Sequence, residues 1–184
     1  RSVGVAGAFQ RYAGIDLLAT VSASGETDVM GLRAQAVAQN IRIADDDTWA
    51  DVYSRIMVEK VEPKLGRAAA TILTEYPVSE AALARPAALD RRVAERFELY
   101  CCGVELANAF GELTDPVEQR RRFIAEMDEK ERVYGERYPL DEDFLAALEI
   151  MPDASGIALG FDRLAMLATG ADRIDDVIWT PMPE

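Results

Sequence analysis

The sequence predicts an α+β domain, an antiparallel sheet with flanking helices, and three observations predict it. Stretches rich in β-branched and aromatic residues lie close together between residues 70 and 110. Helix-period patterns with capping residues stand on both sides of them. A short apolar run between two glycines then feeds one more helix near the end of the chain.

The first section reads as helical. Thr27 is placed to cap a helix on which Val29, Leu32, Ala36 and Val37 share one face. Asp47 or Thr48 caps another, which carries Trp49, Val52, Tyr53, Ile56 and Met57 until Pro63 and Gly66 stop it. Ala70 to Thr74 is rich in strand formers and ends at Pro77, and Ser79 to Ala84 reads as a short helix. Val93 to Tyr100 and Val104 to Phe110 read as two strands close together. Asp115 suits an N-cap, Pro116 the first turn, and Glu118 completes a capping-box pattern for a helix reaching about Arg132. A further helix is predicted from Asp141 to Ile150, then a strand from Ile157 to Gly160, then a helix capped by Asp162 and running to Ala168.

At 184 residues the chain suits one domain or a large piece of one. It opens Arg1-Ser2-Val3 without Met, so a fragment or processed product is expected, and no signal peptide is visible. No apolar run approaches the ~18 residues of a membrane span, so no membrane association is expected. The formal net charge of -13 repels phosphate backbones and argues against nucleic-acid binding by this piece alone. A nucleotide site remains open to it, because a few arginines and a metal ion hold phosphates locally. The chain has no histidine, which removes His-based triads and most catalytic zinc sites. Its two cysteines, Cys101 and Cys102, are adjacent. Neighbouring cysteines rarely close a disulfide without strain, so a cytoplasmic origin is expected.

The stretch Phe97-Glu98-Leu99-Tyr100-Cys101-Cys102-Gly103-Val104-Glu105 carries the most chemistry. With Cys101 and Cys102 at the tip of a hairpin, Tyr100 faces Gly103, Leu99 faces Val104 and Glu98 faces Glu105. Opposed carboxylates stand about 5 Å apart on one sheet face and repel. A shared proton, an arginine between them or a divalent cation must offset that. The readings are a solvated polar face, a Mg²⁺ site built on hard oxygen ligands, or a glycosidase-like acid/base pair. Asn108, Phe110 and Glu112 alternate onto the face opposite Glu105, so convergence on one pocket requires a bulge near Ala107. Asn108 and Glu112 suit the carboxylate and ammonium ends of an amino acid; the plainer readings are a turn residue and a surface charge.

Ser155-Gly156-Ile157-Ala158-Leu159-Gly160-Phe161-Asp162-Arg163-Leu164 is the second informative stretch. A cation is disfavoured in the first turn of a helix, so Arg163 there points to a specific partner. The positive helix end and a guanidinium together attract a phosphate, and glycine lets a base approach the backbone closely. The plainer reading is an ordinary strand-to-helix turn with a surface arginine.

Together these pieces resemble the class II lysyl-tRNA synthetase family. The likeness rests on Phe97-Glu98-Leu99-Tyr100, on Gly103 to Pro116, on Thr74-Glu75-Tyr76-Pro77 with Leu83-Ala84, and on Gly156 to Leu164 as motif 3. It covers roughly residues 70 to 184. Ala158, Ala94 to Glu98 and Met151-Pro152-Asp153 resemble the branch that lysylates elongation factor P more closely than the branch that charges tRNA. Ala158 stands where the latter usually has Gly.

The resemblance implies ATP-dependent adenylate formation, in which a carboxylate attacks the α-phosphate and pyrophosphate leaves. It implies that Glu98 and Glu105 hold Mg²⁺ against the phosphates. Glu105, Leu106, Gly160 and Arg163 would line the nucleotide, with Arg163 as the catalytic arginine. Asn108, Glu112 and Ala158 would line the amino-acid pocket, Glu112 facing the side-chain amine. The implied partners are lysine or (R)-β-lysine and a lysine of elongation factor P, or tRNA(Lys) for a true lysyl-tRNA synthetase. Residues 1–184 then form part of a catalytic domain, with motif 3 at 156–167 and residues 1–66 resembling the segment after motif 2. Motif 1, which builds the family's homodimer, and motif 2, whose arginine grips the α-phosphate, are not found in the chain. A module that kept the fold and lost the chemistry is the third reading.

Overall fold

The computed structural model describes residues 1–180. Its frame is a five-stranded sheet ordered β1-β2-β3-β4-β5 along the chain. The strands are β1 (Ser2–Gly4), β2 (Thr71–Pro77), β3 (Val93–Cys101), β4 (Val104–Gly111) and β5 (Ser155–Leu159). All neighbours run antiparallel except β1, which pairs with β2 in parallel. That short edge strand lies in a section whose sequence reads as helical. Its residues alternate too briefly to announce a strand, and pairing with β2 supplies the hydrogen bonds that make it one.

The helices between β1 and β2 form the main core. They are α1 (Val5–Ala13), α2 (Val29–Ala38) and α3 (Trp49–Ile56). Thr48 caps α3 in a reciprocal box with Asp51, as the pattern predicts. Trp49, Tyr53 and Phe9 stack in series, with ring centroids 5.3 and 5.2 Å apart, and Trp49 donates its indole N–H to Thr20 at 3.0 Å. Asp28, not Thr27, caps α2 by accepting from the Gly31 N–H; Leu32 and Ala36 are buried as expected, whereas Val37 is exposed. Beyond α3 the chain widens into a π-helix over Met57–Val61, which delivers Glu62 beside Tyr100 and Glu105 of the two inner strands β3 and β4.

Residues 79–84 differ from the expected helix. Only the turn Val78–Glu80 is helical, and the chain then pairs with the end of β4. Arg85 N–H donates to the Gly111 carbonyl and Leu113 N–H to the Leu83 carbonyl. Non-local backbone bonds therefore replace the local helical ones. After β4, α4 (Pro116–Tyr134) begins at the Asp115 cap, outlasts the predicted end and stops at left-handed Gly135. Glu118 does not return a bond to the cap. It pairs with Arg121 and Arg122, which hold its carboxyl down at about 2. Arg122 continues to the carbonyls of Ala82 and Ala84, tying α4 to the loop. Next comes α5 (Glu142–Leu148), capped by Asp141. The last helix, α6 (Phe161–Thr169), has Gly160 as its N-cap instead of Asp162, which sits one residue inside the first turn.

Leu73 on β2 is fully buried beneath the helices. Leu73→Ala is expected to lower the free energy of unfolding by about 2–5 kcal/mol, read from a urea transition, because the strand and helices around it cannot collapse onto the space.

Candidate active site

The β3–β4 turn sets the geometry of everything near it. Cys102 and Gly103 both have positive φ, 55° and 82°, so they form the two-residue loop of a type I′-like turn. Placing Cys101 and Cys102 at the tip is therefore wrong by one residue. Such a turn needs left-handed backbone at both positions, and glycine meets that need at the second, where a Cys-Cys turn would put a Cβ. The observed pairs are Cys101 with Val104 and Tyr100 with Glu105. Glu98 faces Asn108, not Glu105.

The required bulge is present. Between Tyr100↔Glu105 and Leu99↔Ala107 the register skips Leu106. This extra residue lets Glu105, Asn108 and Phe110 share one face with Arg96, Glu98 and Tyr100. Across the next ladder Ala158 opposes Asn108 and Gly156 opposes Phe110. Glu112 lies beyond them. One of its carboxylate oxygens would be 2.7 Å from a Cβ on Gly156, so the glycine makes room for that side chain. Gly160 donates its N–H to the carbonyl of Leu106 at 2.8 Å, pinning the start of α6 to the bulge.

Arginines balance the two glutamates separately. Glu98 is buried; it accepts from Arg96 at 2.8 Å and from the Tyr100 hydroxyl at 2.7 Å. Arg163 meets Glu105 twice, donating to its carbonyl at 2.9 Å and to its carboxylate at 3.1 Å. Arg96 also donates to the Glu80 carbonyl at 2.6 Å and lies over the Tyr76 ring at 4.3 Å. A longer contact of 3.4 Å joins it to Asn108. Burial, then the Glu98 charge, pushes the Tyr100 and Tyr76 phenols up.

Comparison with known proteins decides the lineage. The family described as "tRNA synthetases class II (D, K and N)" matches residues 26–184. The chain belongs to this class II synthetase family. It is 46% identical over 180 residues to a protein of Proteus mirabilis named elongation factor P--(R)-beta-lysine ligase, covering 95% of this chain and 53% of that one. A Haemophilus influenzae protein of the same name is 40% identical over 171 residues, or 92% of this chain and 51% of that one. A lysine--tRNA ligase of Dehalococcoides mccartyi is 38% identical over 176 residues, covering 95% and 34%. The chain thus spans about half the length of the first two relatives. The α+β sheet architecture agrees with this family, as the sequence predicts.

In this class II chain the site residues border two hollows. One, of 480 Å³, is lined by Glu62, Arg67, Tyr100, Glu105 and Arg163. The other, of 180 Å³, lies behind it among Tyr53, Tyr76, Glu80, Arg96 and Glu98. Among the described residues no three His, Cys, Asp or Glu side chains gather to hold a metal ion. Glu98 and Glu105 are hard oxygen donors of the kind Mg²⁺ takes together with phosphates and water, but Glu98 lines the smaller hollow and Glu105 the larger, each against its own arginine. Reasoning from sequence missed Arg96, Glu80 and Glu62 as parts of the site. Arg96, Glu98 and Tyr100 alternate along β3, and that period-2 run of polar groups is the signal that finds the first.

Glu80 shows what burial does here. Its carboxyl is pushed up to about 7 by desolvation, against a partial offset from Arg96. Folded protein therefore keeps a proton that unfolded chain sheds near the ordinary 4.5. Across that window the native state binds more protons, so this group makes stability fall as pH rises. Glu80→Gln is expected to be more stable than the parent at about pH 8 and indistinguishable from it near about pH 4, as urea midpoints at the two values would show.

Proposed function

We propose that the chain is the latter part of a catalytic domain that activates lysine or (R)-β-lysine with ATP and passes it to a lysine of elongation factor P. The observation that carries the reading is the meeting of Glu98, Glu105, Asn108 and Ala158 on one sheet face, with Arg163 against Glu105. The names of the Proteus and Haemophilus relatives support the acceptor, and the identity of 46% over nearly the whole chain supports the branch. ATP phosphates would lie in the larger hollow, beside Arg67 and the Arg163–Glu105 pair, where Arg163 keeps N–H donors that Glu105 does not use. Mg²⁺ held by Glu98 and Glu105 would neutralise the phosphates.

The amino acid would lie along Asn108, Ala158 and Glu112. The neighbouring cations are committed elsewhere: Arg85 to Glu95 and Asp153, Arg96 to Glu98, and Arg163 to Glu105. Glu112 is left to accept an ammonium group. The substrate carboxylate then attacks the α-phosphate and the bond to the pyrophosphate oxygen breaks; the acceptor amine next attacks the acyl carbon, AMP leaves with the acyl oxygen, and the amine gives up a proton to solvent. Positioning and charge neutralisation carry this chemistry, and no histidine is needed as a base.

The exposed outer strand supports the reading of residues 1–184 as part of a domain. Ile157 and Leu159 on β5 are 63% and 51% exposed. An apolar strand of that kind at a sheet edge is a place for further strands of a longer chain, the part that would also carry motifs 1 and 2 and the homodimer contact. The Dehalococcoides relative favours a second reading, a piece of a lysyl-tRNA synthetase acting on tRNA(Lys).

Isotope exchange between pyrophosphate and ATP, run on the full-length protein with (R)-β-lysine, tests the first reading. Exchange is expected, and Glu112→Gln is expected to lose about 10²-fold or more of it, since the ammonium is left without its charge partner. Undiminished exchange removes Glu112 from the substrate role. Ala158→Gly, which frees one methyl of space beside Asn108, is expected to let α-lysine compete about tenfold better. Transfer of label to tRNA(Lys), with none to elongation factor P, would favour the second reading.

A further inference from the structure

The two cysteines take no part in the site above. Cys101 ends β3 and Cys102 opens the turn. Both are free, Cys102 is exposed, and the two Sγ atoms stand 3.9 Å apart. Cys101 alternates with Tyr100, so its thiol lies on the sheet face opposite the Tyr100–Glu105 cluster.

The turn that presents them is held from both sides. Cys102 donates its N–H to the Gly66 carbonyl at 2.9 Å. Gly66 itself has a φ of 68°, and a Cβ there would stand 2.8 Å from the Tyr100 backbone. Gly103 packs so closely on the Arg67 guanidinium that a Cβ would come within 2.7 Å of it. The sulfurs are therefore offered as a pair on a turn with little room to rearrange, which lowers the entropic cost of engaging both.

Geometry decides what such a pair accepts. A disulfide would need the sulfurs to close to about 2.05 Å with Cα atoms about 3.8 Å apart, below the usual lower limit of about 4.4 Å. One soft atom between the sulfurs demands far less. A single bridging atom leaves the sulfurs well beyond bonding distance of each other, so the observed 3.9 Å needs only a small side-chain rotation to admit one. Zinc would want four protein or solvent ligands, and among the described residues no third His, Cys, Asp or Glu gathers here. The fitting ligand takes two sulfurs from the protein and brings its remaining substituent with it. The Cys102 thiol also pushes the Cys101 thiol up, which makes Cys101 a poor target for oxidants that need a thiolate.

We propose that Cys101 and Cys102 form a dithiol site for a trivalent thiophilic metalloid of the monosubstituted arsenical class, bound through both sulfurs. In the reaction with an organoarsenic oxide, two As–S bonds form and the arsenic–oxygen bond is lost. The two thiol protons leave with that oxygen as one water molecule. Arsenic stays trivalent and no electrons change hands. Gly103 and Val104, next along the chain, line the larger hollow, so the ligand sits behind its rim.

The test treats the reduced chain with an equimolar amount of phenylarsine oxide and reads intact mass and free thiols. One adduct per chain is expected, with both thiols lost to maleimide labelling. It should survive excess monothiol and be released by a small dithiol, a signature read on the unaltered chain. Cys101→Ser and Cys102→Ser should each lose the monothiol-resistant adduct while keeping the parent circular dichroism spectrum. The proposal is overturned if the parent chain carries no resistant adduct, or if either single variant retains one.

Discussion

The register of the β3–β4 hairpin is the constraint on which the rest of the site depends. Side chains in a strand alternate faces, so a slip of one residue sends every later side chain to the wrong side. Here two local features act in sequence. The Cys102–Gly103 turn places Tyr100 opposite Glu105, and the bulge at Leu106 then shifts β4 by one, so that Asn108 joins Glu98. Without the bulge Glu105 and Asn108 would point to opposite faces. The same bulge frees the Leu106 carbonyl to accept from Gly160, so one irregularity also sets where α6 begins and where Arg163 emerges.

Buried charge makes this arrangement demanding. Glu98 is surrounded by Tyr100, Tyr76 and Arg96, and a carboxylate removed from water must be matched by cations and donors. Arg96 meets that need and also binds a carbonyl of the Val78–Glu80 turn, so that turn, β3 and β4 share one polar hub. Removing one partner from such a hub leaves another unpaired, which is why the pieces hold one another in place. The helical layer contributes through Tyr53 and through the π-helix, which carries the chain to Glu62 at the boundary of both hollows.

The two sides of the sheet are covered unequally. The helices cover the β1–β2 side of the sheet and build the larger core there. The β5 side is open, with apolar residues in solvent and Ala158 itself exposed beside Asn108. A surface carrying a net charge of -13 also accounts for how ion pairs are used: all four arginines of α4 are spent on nearby glutamates. Cations that face the hollows are therefore few and specific.

Local chemistry determined much by itself. Thr48, Asp115 and Asp141 cap the helices they precede, because a cap depends on residues two or three positions away. Period-2 runs placed β3 and β4, and spaced glutamates, asparagine and arginine marked the candidate site before any coordinates. The sequence even implied the bulge, since convergence of Glu105 with Asn108 is impossible without one. Tertiary structure alone decided that Glu98 faces Asn108 and Glu105 faces Tyr100, because a turn's register depends on the twist and packing of both strands. It turned residues 81–84 from the expected helix into a strand-like partner of β4, since hydrogen bonds to Gly111 and Leu113 come from far along the chain. It made Arg96 the hub and raised Glu80, for burial and charge pairing are properties of neighbours that no local window contains.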